Sequence, residues 1–192
     1  IGSPGRRRQL QSARSLVRSM LSRCDGKAPA DYRITRSEEG KPVCESGPPI
    51  SITHTVDYVA CCVADSGDVG IDLEVIDLGR HSHKVARRFY SAREADWLDT
   101  QPPDRFFMLW VLKEAYGKAM GSGVIGALQG LQCVVEPPRI EVLESGAAGP
   151  GLCLFRLDDS YLAVAAIGSA LGEVDVKRWD ADRGDFVVAE RA

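Results

Sequence analysis

The chain has 192 residues, 44% of them hydrophobic and 27% charged, with a net charge of −3 at neutral pH. That is long enough to bury a sizeable core as one domain or two small halves, and too apolar for a disordered chain. The acidic balance argues against a general nucleic-acid binder, and no apolar run approaches the roughly 20 residues that cross a bilayer, so neither nucleic acid nor membrane is expected as a partner.

The opening Ile1-Gly2-Ser3-Pro4-Gly5 lacks the apolar core of a signal peptide and reads as a remnant or trimmed end. Leu10, Ala13, Val17, Met20 and Leu21 then recur at helical spacing, so a helix is expected from about Arg6 to Cys24, with Arg7, Arg14 and Arg18 on its polar side and Asp25-Gly26 as its stop. After Gly47-Pro48-Pro49, a short strand is expected at Ile50–Thr53, followed by strands at Tyr58–Ala64 and Val69–Glu74 joined by a turn around Asp65–Asp68. One helix over Lys84–Thr100 stops at Pro102-Pro103, and a second runs from about Asp104 to Met120. Leu131–Val135, Ile140–Leu143, Leu152–Leu157, Tyr161–Ile167 and Glu173–Arg178 read as further strands.

Helix then sheet, twice over, is an α+β pattern. Laid without gaps, residues 57–74 and 160–177 match Tyr58 to Tyr161, Ala60 to Ala163, Ser66 to Ser169 and Asp72 to Asp175. The expectation is two similar α/β half-domains related by a pseudo-two-fold, 1–100 and 101–192, each a helix packed on a small, mostly antiparallel sheet. Cys24, Cys44, Cys133 and Cys153 are scattered, and Cys61-Cys62 point to opposite faces of a strand. With no C-x-x-C pair, the cysteines read as idle thiols in a reducing cytoplasm. His81 and His83 sit in a polar stretch and read as solvated.

Chemistry enters at "VGIDLE". On a strand, Val69, Ile71 and Leu73 share one face while Gly70, Asp72 and Glu74 share the other, with the two carboxylates about 7 Å apart. Taken alone, this is the acidic solvent face of a half-exposed strand. Glu114, a third acid, lies on the helix carrying "WVLKEAYGK", with Lys118 one turn beyond it and Lys113 about 100° round the helix. Three acids beside lysines and the Phe106–Trp110–Gly117 stripe suit Mg²⁺ with substrate phosphates, because a hard cation takes a few carboxylates and the lysines neutralise the rest.

"GIDLE" (70–74) followed by "WVLKEAYGK" (110–118) resembles the paired signature of the 4′-phosphopantetheinyl transferase superfamily. "EEGKP" (38–42), "SITHT" (51–55), "RRFYSAREADWL" (87–98) and "ARSLVRSML" (13–21) are similar to segments of its larger, pseudo-dimeric Sfp-type branch. Thr53 and Thr55 stand where that branch usually has serines, and Arg6-Arg7-Arg8 are the basic residues available before the first helix's Arg14. The resemblance implies a cytoplasmic, monomeric enzyme. It would move the phosphopantetheine arm of coenzyme A to a serine of an apo acyl or peptidyl carrier protein, releasing 3′,5′-ADP, in fatty-acid, polyketide or peptide synthesis.

It also implies Asp72, Glu74 and Glu114 as ligands of Mg²⁺ or Mn²⁺, and Asp72, Glu114, Lys118 and His54 as catalytic, with Glu114 taking the serine proton. Coenzyme A would be bound by Arg7, Arg14, Lys41, Thr53, His54, Lys113 and Lys118, Arg7 and Arg14 near the 3′-phosphate and Lys41 near the nucleotide. Lys113 is read either as a phosphate contact or as a rim charge. Two rivals remain: a Mg²⁺-dependent nucleotide phosphohydrolase using the same acids, and a carrier-protein-binding module without transfer.

Overall fold

The computed structural model describes residues 4–55, 57–80, 82–137, 139–144, 149–168, 171–172, 174–180 and 185–188. Ile1–Ser3, His81, Ser169 and Glu173 lie outside the described residues.

Helix α1 (Pro4–Asp25) places Ala13, Val17 and Leu21 against a short 3-10 turn (Pro29–Asp31), the hairpin β1 (Ile34–Arg36) and β2 (Pro42–Cys44), and the hairpin β3 (Ile50–His54) and β4 (Val59–Val63). Val17, Leu21, Tyr32, Ile34, Cys44 and Ile50 form a small core of their own there. Strand β5 (Asp68–Val75) follows, then α2 (Ser82–Phe89), α3 (Ala92–Asp99), α4 (Arg105–Met120) and α5 (Gly123–Gly130). The strands β6 (Gln132–Glu136), β7 (Arg139–Glu144), β8 (Gly151–Leu157), β9 (Ser160–Ile167), β10 (Lys177–Asp180) and β11 (Asp185–Val188) complete the order, giving an α+β protein. All strand pairs among the described residues are antiparallel.

The centre of the molecule is α4. Phe107, Leu109, Val111, Leu112 and Ala115 are almost wholly buried, and the main core gathers around them with Leu131, Cys133, Ala163 and Ala165. A helix buried on nearly every side needs a clean end. Gly121 supplies it in the left-handed conformation (φ 68°), its N–H returning to the carbonyl of Gly117, a geometry that costs a residue with a Cβ.

Three expectations are corrected. The strands at 58–64 and 69–74 do not pair with each other: β4 pairs with β3, and β5 with β9, Asp72 opposite Ala163. The sheet β5-β9-β8 therefore joins the two expected halves through backbone hydrogen bonds. The helix expected over 84–100 is two helices. Ser91 breaks it by accepting a hydrogen bond from the N–H of Glu94 while Glu94 accepts from the N–H of Ser91, a reciprocal cap that starts α3 afresh. Among the described residues, 171–176 form no strand, so the expected strand at 173–178 shifts to β10. Helix α5 was not foreseen; its glycines at 123, 126 and 130 concealed it.

The side chains of β5 alternate as expected. Val69, Ile71 and Leu73 pack with Leu162 and Val164 in a third cluster, while Gly70 faces α4. A Cβ on Gly70 would meet the backbone nitrogen of Ala119 at 2.6 Å, with the carbonyl of Ala115 nearer still. Gly70→Ala is expected to push α4 off β5 and cost about 1–3 kcal/mol in urea unfolding. A loss under a few tenths would show that the helix yields freely.

All six cysteines are free thiols, and burial pushes Cys61, Cys62 and Cys133 up to about 12, which leaves them unreactive. Among the described residues, no helix is long and apolar enough to cross a membrane.

Candidate active site

A cleft of about 570 Å³ opens between the α1–β1–β3 side and the α4–α5 side, floored by β5. Its lining includes Arg14, Lys41, Thr53, His54, Asp72, Glu74, Glu114 and Lys118. The structure thus draws eight of the residues singled out in the sequence onto one surface, from α1, the β1–β2 loop, β3, β5 and α4.

Asp72 is the best-held of the acids. Its Oδ1 accepts from Lys118 Nζ at 2.7 Å and from Thr53 Oγ1 at 3.0 Å, and Lys118 also donates to the carbonyl of Ile71 at 3.0 Å. Burial raises the Asp72 pKa, opposed by the Lys118 charge. Thr53 therefore spends its hydroxyl on orienting Asp72. Glu74 forms an ion pair with Arg80, whose guanidinium lies 4.6 Å from the centroid of the Trp110 ring. Its pKa is raised by burial, with Arg80 pulling the other way.

Glu114 has no such support. Its Oε1 is buried without a hydrogen-bond partner, and its pKa is pushed up to about 7, first by burial and then by the Asp72 charge. A carboxyl with a folded-state pKa above its unfolded value holds more protons when folded, so its contribution to stability is lost as pH rises through the folded value. In chelator, the melting temperature is expected to fall between pH 4.5 and 7 on this account, the raised Asp72 and Glu74 adding in the same direction. The check is a series of thermal melts in which Glu114→Gln shows a shallower slope than the wild type. Equal slopes would remove Glu114 as the cause.

Basic groups line the same cleft. Lys41 Nζ is fixed by Asp68 at 2.9 Å and by the carbonyl of Ala119 at 3.0 Å, so the β1–β2 loop is tied across the cleft to the end of α4. Arg14 and His54 also line the cleft. Arg36, passed over in the sequence, does so as well and donates to the carbonyl of Gly40 at 3.1 Å. No motif pointed to it.

One expectation is corrected, and a second residue falls outside the cleft. Lys113 is not in the cleft: it has no exposure and is salt-bridged to the equally buried Glu94 at 2.7 Å. It also donates to the carbonyls of Leu128 and Leu131, with its Nζ 4.6 Å from the Tyr90 ring centroid. About 100° round α4 from Glu114 is the core, not a rim. Arg7 is exposed on α1 and is not among the cleft residues, because it lies seven positions before Arg14, roughly 10 Å further along the helix.

The family model of the 4′-phosphopantetheinyl transferase superfamily matches residues 68–164, the stretch from β5 to β9 that carries all three acids and Lys118. The chain belongs to this superfamily. It is 30% identical over 174 residues to the 4′-phosphopantetheinyl transferase HetI of Nostoc sp. (strain PCC 7120), an overlap of 86% of this chain and 73% of that protein. It is 35% identical over 115 residues to the transferase Sfp of Bacillus subtilis, covering 57% of the chain and 50% of the relative. To psf-1 of Bacillus pumilus it is 40% identical over 106 residues, covering 50% and 43%. The chain thus spans about half the length of several relatives that it matches. Similarity to Sfp and psf-1 places this phosphopantetheinyl transferase family member in the Sfp-type branch.

The donor set suits a hard cation. Three carboxylates border one space, one oxygen of Glu114 is buried and unpartnered, and Asp72 and Glu74 each raise the Glu114 pKa through their charge. Among the described residues, no three acidic, histidine or cysteine side chains already stand in ligating geometry. In this conformation Lys118 holds Asp72 and Arg80 holds Glu74.

Proposed function

We propose that this chain transfers the 4′-phosphopantetheine arm of coenzyme A to a serine hydroxyl of an apo acyl or peptidyl carrier protein. The phosphorus–oxygen bond to the 3′,5′-ADP portion breaks as the bond to the serine oxygen forms. The observation that carries this reading is the unpartnered Glu114 beside the Asp72–Lys118 pair, in a cleft also lined by Arg14, Lys41 and His54.

Phosphoryl transfer needs positioning and charge neutralisation more than covalent help from the protein. Arg14 and Lys41 receive the 3′-phosphate and nucleotide, and His54 hydrogen-bonds a phosphate oxygen. Asp72, Glu74 and Glu114 would hold Mg²⁺ or Mn²⁺, which when bound neutralises the pyrophosphate and the charge left on 3′,5′-ADP. Lys118 lies with its Nζ on Asp72 and adds positive charge beside the phosphates. Glu114, directly or through a water, takes the proton of the attacking serine.

The cleft takes α1, β3 and β5 from the first expected half and α4 and α5 from the second, which supports one site per chain in a monomer. The deciding experiment incubates the protein with coenzyme A, Mg²⁺ and several apo carrier proteins and reads the intact mass of each carrier. Addition of the arm, with 3′,5′-ADP in the supernatant, is the expected result. Release of inorganic phosphate without a mass change would point to a hydrolase instead.

A further inference from the structure

Arg80 has no part in the chemistry above, yet its guanidinium occupies one of the three carboxylates on which that chemistry depends. It ends the turn after β5, its backbone N–H bonded to the carbonyl of Asp77 at 3.0 Å. From there it donates to Glu74 Oε1 and lies over the Trp110 ring, with the side chains of Arg80 and Glu74 only 33% and 30% exposed. Lys118 does the same for Asp72. Three acids therefore hold two built-in cations, and the acid left over, Glu114, is the one with an unpartnered oxygen.

We propose that Arg80 is a resident counter-ion that competes with the divalent cation for Glu74. A guanidinium and a dication held by one carboxylate repel each other, so full ligation by Glu74 requires Arg80 to withdraw. The withdrawal is short, because Trp110 offers an aromatic face on which the guanidinium is retained after it leaves the carboxylate. Trp110 and Glu74 both line the cleft, so the retained charge stands at its margin. Phosphate gives Arg80 a second partner and thereby releases Glu74. The cation and the phosphate-bearing substrate then bind with positive coupling, and the cation alone binds weakly.

This inference rests on the reading of the cleft as a coenzyme A site, and its test separates the two. The signal of free Mn²⁺ in electron paramagnetic resonance gives Mn²⁺ affinity directly, with and without coenzyme A, for the wild type, Arg80→Met, Arg80→Lys and the double variant Arg80→Met/Glu74→Gln. Without coenzyme A, Arg80→Met is expected to bind Mn²⁺ roughly two- to fivefold more tightly than the wild type, the scale of one partly exposed ion pair. Arg80→Lys should stay near the wild type, and the double variant should lose the gain. The benefit of adding coenzyme A should shrink in Arg80→Met. A purely structural Arg80 predicts weaker Mn²⁺ binding on its removal, so unchanged or weakened affinity in Arg80→Met overturns the proposal, as does absence of Mn²⁺ binding in every variant. Should Arg80→Met not fold, Arg80→Gln carries the same comparison. Tight Mn²⁺ binding in these variants with no transfer to any carrier would leave the counter-ion role standing and remove the transferase reading.

Discussion

Replacing Glu114 by glutamine is expected to lower transfer by about 10²–10⁴-fold, the usual contribution of a positioned proton acceptor, while the protein remains folded. The variant keeps the shape of the side chain and removes the charge that burial opposes. Because the Glu114 carboxyl is pushed up to about 7 and its Oε1 has no partner, the native charge is a liability at alkaline pH. At pH 8 in chelator, Glu114→Gln should melt at or above the temperature of the wild type. Rate and stability then move in opposite directions, which no general loss of structure can produce. Transfer within tenfold of the wild type would remove Glu114 from its catalytic role.

The largest effect on stability is expected at Lys113. Removing one partner of a buried ion pair typically costs about 3–5 kcal/mol, because the other charge is left uncompensated. Glu94 would retain the N–H of Cys133 at 2.9 Å and the N–H and hydroxyl of Ser91 at 3.0 and 2.9 Å, but no cation. Lys113→Ala should therefore show its loss in urea unfolding, and Lys113→Met/Glu94→Gln should recover much of it by emptying the site of charge. The KM for coenzyme A of folded Lys113→Ala should stay within a fewfold of the wild type, since the side chain is outside the cleft. A raised KM with unchanged stability would restore the phosphate-contact reading.

Lys113 also shows where a sequence stops being readable. Helical spacing correctly separated it from Glu114, but spacing does not say which flank meets solvent, and α4 is buried almost all round. A lysine between Leu112 and Glu114 looks like a cleft cation unless its partner is known, and that partner lies on another helix. Asp72, Glu74, Glu114 and Lys118 were legible because short motifs carry both residue type and spacing, and the alternation of β5 set their faces. Ser91 and Glu94 have the spacing of a capping box, a signal that the single helix expected over 84–100 leaves unused. Pairing was the weakest inference. A tight turn at Asp65–Gly67 invites a hairpin, whereas the real partner of β5 is β9, which no local pattern can announce. Arg36 and Arg80 acquire meaning only through what they touch.

The pairing of β5 with β9 sets the order in which a newly made chain can complete its sheet. β5 leaves the ribosome well before β9 is synthesised, so the strand bearing Asp72 and Glu74 waits without its ladder partner while the intervening helices are translated. Residues 160–167 then supply the backbone hydrogen bonds that fix β5 in its sheet. A nascent fragment ending at α5 therefore holds every acid of the site without the strand that pairs with β5.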